Sequence, residues 1–584
     1  MNEVKKNILI ISQLRGTYFE PKDYNIYFLN EGCKLHTSQK YYKYEKYTNN
    51  FTINYNNKLN LLDKDLNYLL NTYELFLEEV SEKLNQIHKT NYSKNYWRVV
   101  IGPWLFEFLS ILFDNWKKIS FINKNTKIKC VKIAITNNKN FLFNNNNDFS
   151  FSSLTDEFNN NILNDLLGYF KRFKLIYFRP VNCKKELSIN NFHFIKVISI
   201  FSINLFISLQ NLLPKRNFFF YDSYFPKKIS FFLQIKLKQF PIFVKFLFLT
   251  NTKIDNFLRS KKFEYTGDNF LNIAKDLFFK YIPLSYLENF KSISSKVKII
   301  NSYNPKIIFS SSGFINDDNF KIWLAEINLK KESKFVSGQH GGNFYIGKFI
   351  FEEIHQEKIS DRIITWGYEN SKIYKPSFNY KAAHKKINNK KDGNLLMVNY
   401  ENRRFSGNNL RLRYFSYLKY LDEQFIFIKK LRAEIESRLI IRLYPFNYGW
   451  NTKERFKEFK SDIIFDNNKN IDNSLKKSRI CYINFNSTVF LETLNYNFPT
   501  VLFFNLKQDP IRKEAMPYFN VLKKAQIFFD NEELAAAHIN KVWNNVDQWW
   551  YSKIVQNSVN IFCNKYSKRS SSPISLLFNL FKSF

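Results

Sequence analysis

Short apolar runs alternate with amphipathic stretches along the chain, and this alternation predicts its main elements. Near the N-terminus, the run from Ile8 to Ile11 predicts a first β-strand. In the middle, KIIFSSS (306–312) and KFVSG (334–338) predict two strands on either side of a helix, NFKIWLAEIN. Asp317 and Asp318 stand where that helix needs an N-cap and a first-turn acid.

The second half repeats the pattern more regularly. Its predicted strands are NLLMVNY, RLIIRLYP, RICYINF and PTVLFFN, and helices such as STVFLETLNY separate them. Strand, helix and strand in this order predict parallel sheets with helices on both faces. The predicted fold class is therefore α/β, with two such units joined by a linker and a cleft between the carboxyl ends of their strands, where ligands bind in such folds.

A polar, Lys- and Asn-rich stretch at 376–393 marks the boundary between the halves. It predicts an N-terminal α/β domain over 1–380, with helical insertions at about 190–290, and a C-terminal domain over 390–545. A helical tail over 546–584 follows. The Asn-rich segment 137–153 is predicted to be a loop within the first half.

The net charge of the chain is large, but it adds little to the functional prediction. The 584 residues carry 88 Lys and Arg against 51 Asp and Glu, a net charge of +37. Lys, Asn, Phe, Ile and Tyr, which share A/T-rich codons, are abundant together, so net charge alone identifies no partner. No nucleic-acid-binding signature accompanies it, and we predict no nucleic-acid partner. Five scattered cysteines exclude a zinc ribbon or a disulfide framework, and predict a reducing cytoplasm as the location.

Three segments bear on membranes. The apolar stretch 192–213 carries His193 and Lys196, which favours a buried or interfacial helix over a membrane span. Segment 227–249 and the last twelve residues, PISLLFNLFKSF, combine Phe and Leu with lysines. That mixture is typical of a peripheral surface that binds an anionic membrane, and helices facing a core are the alternative.

The first candidate site is Ser337–Asn343, which contains Gln339, His340, Gly341 and Gly342. A strand ends here, and the glycines let backbone and imidazole approach a ligand closely. Histidine transfers protons near neutral pH, so His340 is a candidate general base. The alternative is a tight turn in which His340 only contacts its neighbours.

The second candidate site is the start of the helix after RICYINF, with Ser487 and Thr488 in its first turn. Its free N–H groups and positive dipole end suit a nucleotide diphosphate. Glu492, one turn further, is a candidate partner for ribose hydroxyls. Ordinary helix capping by Ser487 or Thr488 is the alternative.

Basic loops follow two more strands of the same predicted sheet. Arg442 and Tyr444 end RLIIRLYP, and Arg403 and Arg404 follow NLLMVNY. Arginine forks phosphate well and a phenol ring stacks on a base, so these residues are candidates for donor binding.

Other motifs are absent or weak. P-loop, G-x-G-x-x-G, H-E-x-x-H and G-x-S-x-G patterns do not occur, which removes the commonest NTPase, dinucleotide, metalloprotease and hydrolase hypotheses. Asp63 and Asp65 match D-x-D, but their surroundings predict a solvated helix face. We predict no bound metal and no cofactor.

Several motifs together resemble a bacterial family of surface-polysaccharide (lipopolysaccharide or capsule) transferases. They are FLNEGCKL (28–35), YWRVVIGPWL (96–105), GQHGG (338–342), SDRIITWGY (360–368), RLYP and NSTVFLETLNYNFP. That family is similar to capsule-polysaccharide and CDP-glycerol-type transferases. The resemblance implies a GT-B-like fold of two Rossmann-like domains, and metal-independent transfer from a nucleotide-activated donor.

The resemblance also implies roles for residues. His340 matches the catalytic base, and Ser487, Thr488 and Glu492 match donor-nucleotide contacts. Tyr444 stands where many relatives have a histidine before proline, so Arg442 or Tyr444 takes that phosphate contact. Asn497 replaces a glycine that is frequent in sugar transferases.

We therefore expect a glycosyltransferase that moves a sugar from a nucleotide-sugar donor to a glycan or lipid-linked acceptor, in the cytoplasm or at the inner face of its membrane. Arg98 and Trp104 are expected near the acceptor. Glycerophosphate or polyol-phosphate transfer, and non-catalytic binding of polysaccharide or membrane, remain alternatives.

Overall fold

We analysed a computed structural model of the chain. It describes residues 6–14, 24–34, 59–136, 142–180, 217–243, 245–246, 253–300, 304–348, 350–383, 386–405 and 416–584. The predicted apolar helix at 192–213 lies outside the described residues.

Within the described residues, fifteen strands form three sheets, and each pair of neighbouring strands is parallel. The first sheet contains β1 (Lys6–Ile10), β2 (Tyr24–Phe28), β3 (Cys130–Ala134) and β4 (Lys174–Phe178). The second contains β5 (Phe218–Tyr221), β6 (Ile307–Ser310), β7 (Lys334–Gly338), β8 (Arg362–Thr365) and β9 (Tyr374–Pro376). The third contains β10 (Asn394–Val398), β11 (Leu439–Arg442), β12 (Ile464–Phe465), β13 (Ser478–Ile483), β14 (Thr500–Phe503) and β15 (Phe528–Phe529).

Helices connect and cover these strands. In the first half they are α1 (Leu59–His88), α2 (Lys94–Asn125), α3 (Asn146–Ser152), α4 (Asp156–Leu167), α5 (Lys227–Lys236), α6 (Asn256–Arg259), α7 (Asn269–Tyr281), α8 (Phe290–Ile300), α9 (Gly313–Asn316), α10 (Asp318–Asn328) and α11 (Phe351–Ile359). In the second half they are α12 (Tyr417–Lys429), α13 (Ala433–Glu436), α14 (Thr452–Phe459), α15 (Ile471–Leu475), α16 (Thr488–Asn495), α17 (Met516–Lys524), α18 (Glu532–Val542), α19 (Val546–Trp550), α20 (Lys553–Tyr566) and α21 (Pro573–Lys582).

The predicted α/β class with parallel sheets is confirmed, and the predicted strands of the second half are β10, β11, β13 and β14. The predicted first strand is confirmed as β1, whereas the sequence did not reveal the four-stranded sheet to which it belongs. Asp317 caps α10 through the backbone N–H of Phe320, at 3.1 Å, as predicted. The predicted loop at 137–153 is wrong in part, because Asn145 caps the short helix α3.

The order of strands in the third sheet positions the site. The sheet runs β12-β11-β10-β13-β14-β15, so the chain passes from β10 to one side and returns to β13 on the other. Such a reversal leaves a crevice between the carboxyl ends of the two central strands. Residues that follow β10 and β13 are therefore exposed to the same space.

Helix α2 is the core helix of the first half. By length and composition alone, the part from Lys94 to Lys124 is apolar enough to span a membrane, but its apolar window is wholly buried among the described residues. Gly102 permits this packing, because a Cβ there would lie 2.7 Å from the Tyr73 hydroxyl of α1. Burial within the protein accounts for its hydrophobicity.

The C-terminal helices link the halves. Helix α20 packs on helices of the second half through Phe562, which contacts Phe490 of α16 and Phe519 of α17. The chain then crosses over, and Phe581 of α21 contacts Phe220 of β5 and Phe309 of β6 in the second sheet. The last helix therefore completes the core of a sheet formed much earlier in the sequence.

Candidate active site

A cleft of about 710 Å³ lies between the second and third sheets. This volume falls in the range of about 300–1,000 Å³ that is usual for small-molecule sites. The lining comes from the loop after β7 and from the carboxyl ends of β10, β11 and β13. Of the predicted site residues, those that line it are His340, Gly341, Gly342, Arg403, Arg442, Tyr444, Ser487 and Thr488.

The His340 loop and the start of α16 are in direct contact at the base of the cleft. The backbone N–H of Gly342 donates to the Thr488 hydroxyl at 3.1 Å. A Cβ on Gly342 would lie 2.2 Å from the carbonyl oxygen of Ser487, so no larger residue fits there without a shift. The close approach of the two backbones therefore requires a glycine at position 342. The two motifs that sequence analysis identified separately therefore form one site.

A second set of contacts holds the same two segments in register. Asn486 donates to the Asn343 side chain at 2.8 Å. Beyond it, Gly347 and Ile511 form an isolated antiparallel bridge, and Arg512 pairs with Glu353 at 2.6 Å. The cleft is thus fixed on one side by polar contacts across the two halves.

Ser487 occupies the N-cap position of α16, but its hydroxyl does not cap the helix. The Ser487 Oγ is buried and has no hydrogen-bond partner among the described residues. The same holds for Asn486 Oδ1 and Asn399 Nδ2, which also belong to lining residues. Buried polar atoms are nearly always paired, so these three unpaired atoms are unusual features of the cleft wall. Capping, the alternative for Ser487, is not what its hydroxyl does.

His340 lines the cleft and is partly buried, with its ring edge-on to Tyr224 at 4.8 Å between centroids. Its Nε2 lies 3.5 Å from the Tyr224 hydroxyl. Burial, together with the nearby charge of Lys381, lowers the pKa of His340 to about 4. The imidazole is therefore neutral at physiological pH and able to accept a proton.

Lys381 and Tyr224 were missed by the sequence analysis. The Lys381 ammonium lies 4.4 Å from the Tyr224 ring centroid, and Tyr224 has a positive φ of 56°. Burial lowers the pKa of Lys381, and the charge of Glu492 partly opposes that shift. The signal that identifies Tyr224 is its left-handed backbone shortly after a strand, and this signal is visible only in the structure.

Glu492 does not line the cleft. It lies four residues into α16, about 6 Å further along the helix axis than Thr488, where it influences Lys381. The structure therefore does not bring Glu492 to the position expected of a ribose contact.

The two arginines after β10 differ in role. Arg403 lines the cleft and donates to Glu107 at 3.2 Å. Arg404 is turned away and binds Asp156 at 2.6 Å, the carbonyl of Tyr448 at 2.6 Å and that of Gly32 at 3.2 Å. Arg404 thus ties the first sheet to the cleft wall and has no access to a ligand there.

Arg442 lines the cleft with its guanidinium already engaged. It donates to Asp466, to the Asn468 carbonyl at 2.8 Å and to the Lys469 carbonyl at 3.4 Å. These bonds hold the loop that brings Lys469 and Asn470 to the cleft. Arg442 therefore positions a loop, and Arg403 is the better placed arginine for an anionic ligand.

An aromatic wall faces the same space. Tyr400 stacks on Phe485 at 5.1 Å and meets Tyr444 edge-on at 5.6 Å, and Tyr444 stacks on Tyr448 at 5.9 Å. All four line the cleft. Of these, sequence analysis singled out only Tyr444. Aromatic faces of this kind accept a flat ring by stacking.

The remaining predicted residues lie elsewhere. Gln339 is buried and shapes the loop, because it donates to the Gly341 carbonyl at 3.0 Å and accepts from the Trp366 N–H at 2.9 Å. Arg98 is committed to Glu74 by two hydrogen bonds of 2.7 Å. Trp104 is fully buried in the core of α2. The expected acceptor role of Arg98 and Trp104 is therefore not supported, since neither faces the cleft.

Asp63 and Asp65 are also separated, pairing with Lys348 at 2.8 Å and Lys117 at 3.0 Å. Within the described ranges, no group of three or more His, Cys, Asp or Glu side chains is placed to hold a metal ion.

The fold and the cleft define a class: an α/β protein in which two parallel sheets face a shared ligand site, the arrangement called GT-B-like. This chain belongs to the LIC12162 family of transferases, whose family description it matches over residues 10–581. The resemblance to a transferase family is thus confirmed, and the protein is an enzyme of the transferase class.

Three known structures show distant similarity to this chain. S. aureus MnaA, solved with UDP, has 10% identity and a TM-score of 0.36, and the match covers 63% of this chain and 96% of MnaA. The spinosyn forosaminyltransferase SpnP has 8% identity and a TM-score of 0.28, covering 50% of this chain and 79% of SpnP. The spinosyn rhamnosyltransferase SpnG, solved with thymidine diphosphate, has 8% identity and a TM-score of 0.26, and the match covers 50% of this chain and 78% of SpnG. No curated protein matches the sequence. Likeness at this level does not bear on function.

Proposed function

We propose that this transferase moves a sugar from a nucleotide-activated donor to a glycan or lipid-linked acceptor in surface-polysaccharide biosynthesis, without a catalytic metal. The observation that carries the proposal is the uncapped start of α16, with the buried, unpartnered hydroxyl of Ser487, in the same cleft as His340. An anion binding there gains the free N–H groups and the helix dipole. A nucleotide diphosphate supplies such an anion.

The cleft offers a place for each part of the donor. The base stacks on the aromatic wall of Tyr400, Tyr444 and Phe485. The diphosphate lies at the start of α16, with Arg403 beside it. Positive charge from the helix end and from Arg403 stabilises the departing diphosphate, a task that some enzymes give to a metal ion.

His340 acts on the acceptor. Its neutral imidazole takes the proton of the acceptor hydroxyl while that oxygen attacks the anomeric carbon. The new carbon–oxygen bond replaces the bond to phosphate, and a nucleoside diphosphate leaves. Tyr224, 3.5 Å from Nε2, holds the ring in place.

Nucleotide binding is tested first by thermal shift with CMP, CDP, UDP, GDP and TDP. One nucleotide should stabilise the protein, by about 2.7 kcal/mol at a hundredfold excess over Kd. Ser487→Ala and Arg403→Met should weaken that shift. Arg432→Met, at an exposed position away from the cleft, is the matched control. No shift with any nucleotide would instead favour a non-catalytic binder.

The reaction is tested by the nucleotide released when candidate donors are supplied with acceptor. Sugar transfer releases a nucleoside diphosphate, whereas glycerophosphate transfer, in which phosphorus is attacked, releases a nucleoside monophosphate. His340→Ala should lower turnover by about 10² to 10⁴ and leave the nucleotide-induced thermal shift intact. Unchanged turnover would remove His340 from the mechanism.

A further inference from the structure

The structure brings together two basic, Phe-rich segments that lie far apart in the sequence. Helix α5 packs against the C-terminal helix α21, where Lys236 donates to Ser575 at 2.9 Å and lies 5.2 Å from the Phe578 ring. Ile229 and Leu233 of α5, and Leu237 directly after it, are buried in the core of the second sheet. That leaves the opposite face of α5 to be explained.

The outward face of α5 is apolar as well. Phe231 is 43% exposed, Phe232 48% and Ile235 48%. Phe231 and Ile235 are four residues apart, as are Lys228 and Phe232, so these side chains form one continuous stripe. A surface helix normally presents polar residues to water, and a helix that is apolar on both faces has a second apolar environment.

Along the sequence, the two segments that form this face carry charges of one sign. Segment 223–246 contains five lysines and no acidic residue, and segment 565–584 contains three lysines, one arginine and no acidic residue. Lys227, Lys228 and Lys582 are exposed. Leu576 of α21 adds a further exposed apolar side chain, at 46%. Exposed Phe and Ile among uncompensated cations match an anionic lipid surface, since the rings enter the headgroup region and the lysines contact the phosphates.

We propose that the α5–α21 face, defined by Lys227, Lys228, Phe231, Phe232, Ile235 and Leu576, docks the enzyme on an anionic membrane. Its position supports this role. Helix α5 begins three residues after Tyr224, the residue in contact with His340, so its first residue lies within about 11 Å of Tyr224 along the chain. A membrane bound at this face is close to the catalytic histidine.

The position also suggests the class of acceptor, and this step rests on the proposed function. An acceptor hydroxyl carried on a membrane lipid would reach His340 from the docked face, which favours a lipid-linked acceptor over a free glycan. Vesicle binding is measured without any substrate, so failure of docking and failure of the transferase proposal are distinguishable.

The test is flotation of the full chain with vesicles of phosphatidylcholine alone or with phosphatidylglycerol. Wild type should float only with the anionic vesicles, and less as NaCl rises. The triple variant Phe231→Ser/Phe232→Ser/Ile235→Ser should bind at least tenfold more weakly. A matched triple variant, Leu75→Ser/Phe257→Ser/Leu534→Ser, changes side chains that are 64%, 69% and 58% exposed and should bind like wild type.

Lys227→Glu/Lys228→Glu should also lose binding, and its thermal unfolding should match that of wild type because both lysines are exposed. Equal binding by wild type and the Ser triple variant would overturn the proposal. So would a wild-type dimer that the Ser triple variant converts to a monomer, because the face would then join two copies of the chain.

Discussion

The contact between the His340 loop and α16 makes Gly342→Ala the most informative single substitution. The added Cβ would lie 2.2 Å from Ser487 O, 2.6 Å from Ser487 C and 2.7 Å from Thr488 Cα. All three are backbone atoms, so no rotamer change relieves the clash. Ordinary contact begins at 3.4 Å, and the two segments must therefore separate by about 1.2 Å.

Such a separation has two consequences. It lengthens the 3.1 Å hydrogen bond from Gly342 to Thr488, and overpacking of this kind costs about 1–3 kcal/mol. It also moves His340 relative to the start of α16, and a displacement of about 1 Å costs about 10² in rate. We therefore expect a lower unfolding temperature and a turnover about a hundredfold lower.

A graded series separates this effect from loss of a glycine in general. Gly341→Ala places its Cβ 3.2 Å from the rotatable Thr488 hydroxyl and should change little, and Gly267→Ala meets nothing within 4 Å. Neither glycine has the positive φ that would add backbone strain. Unfolding temperature and turnover should thus fall in the order Gly267, Gly341, Gly342. If Gly342→Ala unfolds and turns over like Gly267→Ala, the close approach of the two backbones is refuted.

Three further predictions concern charge and buried polar groups. Because the pKa of His340 is lowered to about 4, kcat/KM should not fall between pH 6.5 and 5. Lys381→Met removes a nearby positive charge, so the fall in kcat/KM at acid pH should move to higher pH. An unchanged pH profile would show that Lys381 does not influence the pKa of His340. Arg404→Met breaks a largely buried pair with Asp156 and should destabilise the protein by about 3 kcal/mol in urea unfolding, whereas exposed Arg432→Met should not. His355 is buried, and neither of its ring nitrogens has a hydrogen bond within the described residues. Burial lowers its pKa to about 3. As the pH drops from 6.5 toward 3, the unfolded state therefore binds a proton that the folded state does not, and the free energy of unfolding falls. His355→Phe should raise the stability by about 1 kcal/mol and flatten that slope, and a less stable variant with the slope intact would contradict this interpretation.

The parts of the site that sequence analysis located are those at strand ends. Parallel strands of one sheet end at a common edge, so Arg403 after β10 and Ser487 after β13 follow from the order of elements in the third sheet, while His340 ends β7 at the corresponding edge of the second sheet. The order also implies the cleft. The order of elements does not predict that a Cβ on Gly342 would lie 2.2 Å from the Ser487 carbonyl oxygen, because this distance depends on how the two sheets are oriented.

The features of the site that the sequence did not predict depend on the directions in which side chains point. Arg403 and Arg404 are adjacent, yet one lines the cleft and the other binds Asp156 of the first half. Arg98 and Trp104 lie in the motif YWRVVIGPWL, and α2 turns both into contacts within the protein. The aromatic wall, with Tyr400, leaves no sequence signal, because aromatic residues are abundant everywhere in this chain.

The return of α21 to the second sheet has a consequence for biosynthesis. Phe581 contacts Phe220, Phe225 and Phe309, and Lys334 donates to the carbonyl of Phe584 at 2.6 Å. Chains emerge from the ribosome N-terminus first, and domains generally fold as units during synthesis. The second sheet therefore keeps an apolar surface uncovered until α21 has been translated. Nascent chains stalled before Pro573 should bind chaperones and resist native folding, even though both sheets that form the cleft have already been synthesised.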